Sequence, residues 1–249
     1  MKKLGLLFLL STLVSCNALK AITDGETDLD DRFGAGQYNE ELWNGLVSFW
    51  RFDESGSTQD RSDIQGSNNL IYNQGSINST GGINGNAIDC NLSGSNRFSL
   101  NSSNNMNFGT APGNNFAIGF WIYVTSDIGG SHIADFSSGF NITLDGSSGI
   151  TFWVNGNTHV ATIGSGSWQH VVFNLDRNTG VTAFVNGSQQ GSTVFNTTGS
   201  NLNDSTFTLC TTVGWASPLD GNLDSFGIWN RTLSSSEISD LYRGFNNLD

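Results

Sequence analysis

The sequence predicts an all-β fold of short antiparallel strands closed by one short C-terminal helix, and three observations predict it. Only 13% of the 249 residues are charged and only 2 are Pro, whereas 31 are Gly and both Asn and Ser abound, a composition suited to strands joined by tight turns. Apolar residues recur at every second position: Phe116, Ile118, Phe120, Ile122 and Val124 share one face of their segment, with Trp121 and Tyr123 on the other. Asn-Gly or Asp-Gly pairs at 145–146, 155–156 and 186–187 mark hairpin turns, because these residues tolerate the positive φ that tight turns demand. A chain of 249 residues accommodates one large β domain plus short extras.

The first sixteen residues read as an address. Lys2 and Lys3 precede an apolar run, Leu4 to Val14, that is too short to span a bilayer. Leu13-Val-Ser-Cys16 resembles the lipobox of bacterial lipoproteins, which implies that Cys16 is lipidated and becomes the mature N-terminus. The alternative is an ordinary signal peptide with Cys16 near its cleavage site. Either way the chain is exported; the lipobox implies a lipid anchor in the bacterial cell envelope, at the outer membrane or cell surface.

Residues 17–41 carry Asp24, Glu26, Asp28, Asp30, Asp31, Glu40 and Glu41 with little apolar periodicity, as expected of a flexible acidic tether. Four of these acids are spaced like the start of a calcium-binding loop, but Leu29 replaces its turn Gly and Ala35 its bidentate Glu. The net charge is −12, and removing Lys2 and Lys3 leaves 8 basic against 22 acidic residues, near −14. Nucleic acid and anionic headgroups are therefore poor partners, for want of cations to displace their counterions.

The domain is expected over residues 42–249. Its strands are read at Leu46–Glu54, Asn86–Cys90, Arg97–Leu100, Phe116–Val124, Phe140–Leu144, Ile150–Val154, Trp168–Asp176, Val181–Val185 and Thr206–Thr211. In the last strand Leu223, Ser225, Gly227 and Trp229 alternate with Asp224, Phe226, Ile228 and Asn230. A helix follows: Ser234 and Glu237 have capping-box spacing, Leu233 and Ile238 that of a hydrophobic staple, and Ile238, Leu241 and Tyr242 form one apolar stripe.

These segments carry a resemblance. Gly221-Asn-Leu-Asp-Ser-Phe-Gly-Ile-Trp-Asn-Arg-Thr-Leu-Ser, continuing through Glu237-Ile to Leu241-Tyr242, resembles the end of a laminin-G-like domain of the concanavalin A-like lectin and glucanase superfamily. Gly45-Leu-Val, Trp50, Phe52, Asp53 and Glu54 resemble its opening strand; the Phe116 strand, Trp168-Gln-His-Val and Val181-Thr-Ala-Phe-Val-Asn-Gly resemble its middle. The resemblance implies a two-sheet antiparallel β-sandwich, the concanavalin A-like jelly roll, over roughly residues 45–244. The chain departs from the pattern mainly at Cys90, where an aromatic residue is common. Fold alone does not choose between binding modules, enzymes and scaffolding domains.

Candidate sites follow. A glycosidase would need two carboxylates flanking a sugar. The mature chain has five Glu, all at its edges (Glu26, Glu40, Glu41, Glu54 and Glu237), and the E-x-D-x-x-E strand of related glucanases is absent. Asp89, Asp135, Asp145, Asp176 and Asp220 fall mostly at strand ends and turns, so no enzyme is expected. His132, His159 and His170 lack ligand spacing, and no nucleophile elbow is present. Among seven Trp, Trp50, Trp121 and Trp229 match core positions of the resemblance; Trp153 and Trp215 are less constrained, and Trp215, in an expected loop, is the first candidate to stack against a sugar.

Cys90 and Cys210 remain once Cys16 is acylated, and in an exported chain they form either a disulfide or two buried thiols. The resemblance implies calcium on the convex side, held by Asp224 of the last strand near Phe52 and Asp53 of the opening segment; alternatively Asp224 only accepts backbone hydrogen bonds. The functional expectation is a lectin-like module for polysaccharide or glycoconjugate. Against it stand an adhesive or structural lipoprotein that contacts protein and, behind both, a glycoside-active enzyme.

Overall fold

The computed structural model describes residues 40–65, 68–74, 78–90, 97–101, 108, 114–136, 139–198, 202, 206–212 and 217–246. A four-residue helix α1 (Glu40–Trp43) precedes β1 (Leu46–Trp50), β2 (Ile71–Gln74), β3 (Asn78–Gly81), β4 (Asn86–Asp89) and β5 (Arg97–Asn101). The middle of the chain holds β6 (Phe116–Ser126), β7 (His132–Phe136), β8 (Phe140–Leu144), β9 (Gly149–Val154) and β10 (Asn157–Thr162). Then come β11 (Trp168–Asp176), β12 (Gly180–Val185), β13 (Ser188–Thr193), β14 (Thr206–Leu209), β15 (Asp220–Trp229) and helix α2 (Ser235–Asn246).

Among the described residues the strands make two antiparallel sheets that pack as a sandwich. The eight-stranded sheet runs β13-β12-β11-β6-β15-β4-β3, with β1 also on β15; the seven-stranded sheet runs β10-β9-β8-β7-β14-β5-β2. Inward side chains of both sheets form one core in which Phe136, Phe140 and Phe207 meet ring to ring beside Trp50, with 3.9 Å between the first two centroids. The expected face of β6 points into this core, and each of the three Asn-Gly or Asp-Gly pairs joins two neighbouring strands. At Asn155-Gly156 and Asn186-Gly187 both turn residues have positive φ.

The disulfide forms. Cys90 Sγ and Cys210 Sγ are 2.07 Å apart across 120 residues of sequence, with Cα atoms 5.3 Å apart. Each cysteine stands one residue beyond a strand, after β4 and β14, rather than inside it, so the bridge ties one sheet to the other.

The simple alternation expected for β15 fails. Leu223, Phe226 and Ile228 enter the main core, whereas Trp229 lies on the opposite face with Phe49 and Trp121. The cause is a β-bulge: Asp224 pairs with Trp121 and Gly227 with Gly119, so β15 carries one residue more than β6, and Ser225 takes φ 51°. The bulge reverses the phase of the strand and turns Asp224 out of the main core.

Helix α2 starts as its sequence demands. Glu237 N–H donates to Ser234 Oγ at 3.3 Å and Ser234 N–H to Glu237 Oε2 at 2.7 Å, a closed capping box. Its stripe of Ile238 and Leu241 packs with Leu233, Trp121, Val172 and Trp229 on the outer face of the eight-stranded sheet. Helix α1 joins that cluster through Leu42, whose carbonyl accepts the Trp229 indole N–H at 2.8 Å.

Candidate functional site

Both described helices pack on the eight-stranded sheet, and neither covers the outer face of the seven-stranded sheet. Strand pairing lines up one residue from each strand across this face. Thr158 pairs with Trp153, Trp153 with Asn141 and Asn141 with Asp135. Asp135 then pairs with Thr208, Thr208 with Ser99 and Ser99 with Ile71. The neighbours of these residues along each strand, such as Phe152, Ile142, Phe136 and Leu209, fill the core, so the pleat itself turns the row outward.

The row is uneven. Trp153 is 37% exposed and Val160, diagonal to it on β10, is 49% exposed, while Asn141 and Asp135 are half-buried. Thr208 and Ser99 are buried, and Thr208 Oγ1 donates to the Thr211 carbonyl at 2.9 Å. The result is an indole platform beside a polar floor of Asn141 and Asp135. Asp135 lies inside β7 rather than at a strand end, unlike the other candidate carboxylates.

Trp215 lies outside the described residues. The described residues resume at Ser217, and Pro218 bridges to His132. Cys16 and the whole of residues 17–39 also lie outside the described residues. The three histidines stay apart: His132 Nδ1 contacts the Gly130 carbonyl, His159 Nδ1 meets Thr193 Oγ1, and His170 is buried between Trp121 and Tyr242. Burial lowers the His170 pKa to about 3.

Asp224 and Asp53 do come together, at the turn joining β3 to β4. Asp224 Oδ2 accepts the N–H groups of Ile83 at 2.8 Å and Asn84 at 3.3 Å, and Oδ1 accepts Ser225 Oγ at 3.1 Å. Asp53 Oδ1 accepts Asn86 N–H at 3.0 Å, and Oδ2 pairs with Arg51 Nε at 2.8 Å. The partners expected from the opening segment were backbone carbonyls; those found are N–H groups of the 82–86 turn. Burial drives the Asp224 carboxyl up to about 7, against the pull of Asn84, Ile83 and Ser225, and the negative charge of Asp53 adds to the rise. A side chain on Gly82 would collide with Asp224 Oδ2 and with the Asn86 carbonyl, so these two oxygens converge on one spot. The Asp224 carboxylate and the Asn86 carbonyl are hard oxygen donors of the kind calcium takes, while Asp53, against Gly85, is already paired with Arg51.

A family model described as concanavalin A-like lectin/glucanases superfamily matches residues 83–239. The chain belongs to that superfamily. No curated protein matches it in sequence. Solved structures do match in shape. The binding domain of Paraclostridial Mosquitocidal Protein 1 is 19% identical with a TM-score of 0.64, over 82% of this chain and 53% of that one. Domain 4 of a GH43 extracellular arabinanase from Geobacillus stearothermophilus, solved with arabinotriose, is 19% identical with a TM-score of 0.59, over 79% of this chain and 98% of that one. The botulinum neurotoxin serotype G binding domain is 15% identical with a TM-score of 0.62, over 80% and 50%. This chain thus spans about half the length of the two toxin domains, and at these identities the likeness is one of fold.

Proposed function

We propose that this domain is a carbohydrate-binding module on an exported, lipid-tethered chain, and that it takes a polysaccharide or glycoconjugate on the outer face of the seven-stranded sheet. The observation that carries this reading is the exposed Trp153 indole set beside Asn141 and Asp135 on a face that neither described helix covers. An indole face matches the apolar face of a sugar ring, and amide and carboxylate groups take the hydroxyls at its rim. Because all three residues sit on paired strands, the site needs little ordering when ligand arrives. The superfamily's lectin members and the arabinanase domain solved with arabinotriose support the reading at the level of fold.

Binding is favoured over hydrolysis because Asp135 is the only carboxylate among the strand residues of β7 to β10 and β14, and a glycosidase needs a pair. The test is retention of the full-length Cys16→Ser protein on immobilised polysaccharides and a glycan array. Trp153→Ala is expected to abolish retention; no retention of the parent on any glycan would leave the adhesive, protein-contacting lipoprotein in its place. Cys16→Ser itself is expected to move the protein from the detergent phase to the aqueous phase, and equal partitioning of parent and variant would remove the anchor.

A second, structural site is proposed at Asp224 and Asp53, carried by the buried Asp224 carboxyl whose pKa stands near 7. A calcium ion bound there would hold Asp224 ionised and pin β15 to the 82–86 turn. Calcium should then raise the melting temperature by mass action, and Asp224→Ala should abolish the response. Melting of the parent unchanged by chelator would leave Asp224 as a hydrogen-bond acceptor only.

A further inference from the structure

Resting on the proposed glycan-binding face, we infer that its ligand is an uncharged glycan, and that the face rejects sugars bearing carboxylate or sulfate groups. Strands β7, β8, β9, β10 and β14 contain no Lys or Arg at all. The single basic residue in the strands of this sheet is Arg97 of β5, four strands from Trp153, which at the usual strand spacing is roughly 19 Å away.

What faces the platform instead is negative. Asp135 lies two strands from Trp153 in the same row. At one end of β8 and β9, Asp127 and Asp145 fold around the joining loop: Asp127 accepts the Gly146 N–H at 3.0 Å and Asp145 accepts the Gly149 N–H at 2.8 Å. The backbone N–H groups of Ser147 and Gly149 hold the Asp145 carboxyl below the usual carboxylate range despite some opposing burial, so it stays ionised. The Asn155-Gly156 turn at the other end adds no charge. An acidic sugar seated on Trp153 would meet the Asp135 carboxylate in the floor, with the further acids Asp127 and Asp145 at the far end of β8 and β9, and no Lys or Arg on β7 to β10 or β14 to form the charge-assisted pairs that acidic ligands require.

The face does suit hydroxyls. The Asn141 amide both donates and accepts, Asp135 accepts, and Thr158 and Thr151 flank the indole with hydroxyls that do either. Because the row crosses the strands, the sugar chain is expected to lie perpendicular to them, one ring on Trp153 and the next over Asn141 and Asp135.

The experiment uses matched pairs on the full-length Cys16→Ser protein: oligogalacturonates before and after full methyl esterification, and lactose-based oligosaccharides with and without terminal sialic acid. Calorimetry or array binding is expected to favour the neutral member of a pair by at least about tenfold, the effect of one unfavourable close charge contact. Trp153→Ala should remove that binding without changing the melting temperature, and Asp135→Lys should narrow the gap between neutral and acidic members. Acidic glycans that bind as well as neutral ones, through Trp153, would overturn the inference and leave the binding face standing. Glycan binding that ignores Trp153→Ala, or none at all across both series, would overturn the inference and the face together.

Discussion

The two sheets present outer faces of opposite character. On the eight-stranded sheet, outward residues are large and apolar, with Trp121, Trp229, Val172 and Phe184 buried beneath α1 and α2. On the seven-stranded sheet, outward residues are mostly Thr, Asn, Asp and Ser around one exposed indole, with Val160 and Ile71 the exposed aliphatics and neither described helix above them. An indole therefore means different things on the two faces. Trp229 closes a cluster and donates its N–H to Leu42, whereas Trp153 has polar neighbours to either side and part of its surface in water. The difference separates residues that hold the fold from those available to a ligand.

Truncating each indole should break the comparison most sharply. Trp229→Ala removes a fully buried side chain from the covered face and should cost about 3–5 kcal/mol in denaturant unfolding. Trp153→Ala should stay within about 0.5 kcal/mol of the parent. Equal losses would mean that both faces are structural.

The disulfide comes next, since it joins the sheets behind both faces. Replacing Cys90 and Cys210 by Ser should lower stability by roughly 2–5 kcal/mol in the chain-entropy view of a long closed loop. Unreduced protein treated with an alkylating agent should show Cys90 and Cys210 unalkylated and linked in mass spectrometry; two alkylated thiols would remove the bridge.

A third effect belongs to the covered face alone. His170 titrates near 3 in the folded protein against about 6.5 when unfolded, so the unfolded state binds the extra proton between those values. Stability should therefore be undiminished above about pH 6.5 and fall as pH drops toward 3. In His170→Phe the slope between pH 6.5 and 4 should be shallower; an unchanged slope would put the acid sensitivity elsewhere.

How far the sequence could be read follows the same division. β6, β8, β11 and β12 are legible because apolar residues at alternate positions, or in continuous runs, mark them as core strands. β3 and β13 are not, because Asn78-Ser-Thr-Gly and Ser188-Gln-Gln-Gly-Ser-Thr are polar edge strands with no pattern to find. β2, β7 and β10 are no more legible, their short segments carrying too few apolar residues at regular spacing. The phase of β15 misleads because a bulge inserts one residue at Asp224 and Ser225, which no alternation reveals. The capping box of α2 is legible since its partners are three residues apart. The binding row is not: Trp153, Asn141, Asp135 and Thr208 come from four strands, and only register brings them together. The available signal was the polar residue at every second place in Phe140-Asn-Ile-Thr-Leu, which marks an outward face without saying what meets it.

The smallest effect concerns the helix that covers the first face. Glu237 closes the capping box and also accepts from Arg231 Nη1 at 3.0 Å. Glu237→Ala should cost about 1–2 kcal/mol in thermal or denaturant unfolding, the range for a lost cap plus one partly buried ion pair, with glycan binding unchanged.

The central claim, that ligand occupies the open face and not the covered one, is tested most directly by amide and indole chemical shifts during titration with a neutral oligosaccharide. The account predicts that shifts concentrate on the Trp153 indole and on β7, β8 and β9, with α2 and its sheet face silent. Shifts centred on α2, β11 and β12 instead would contradict it.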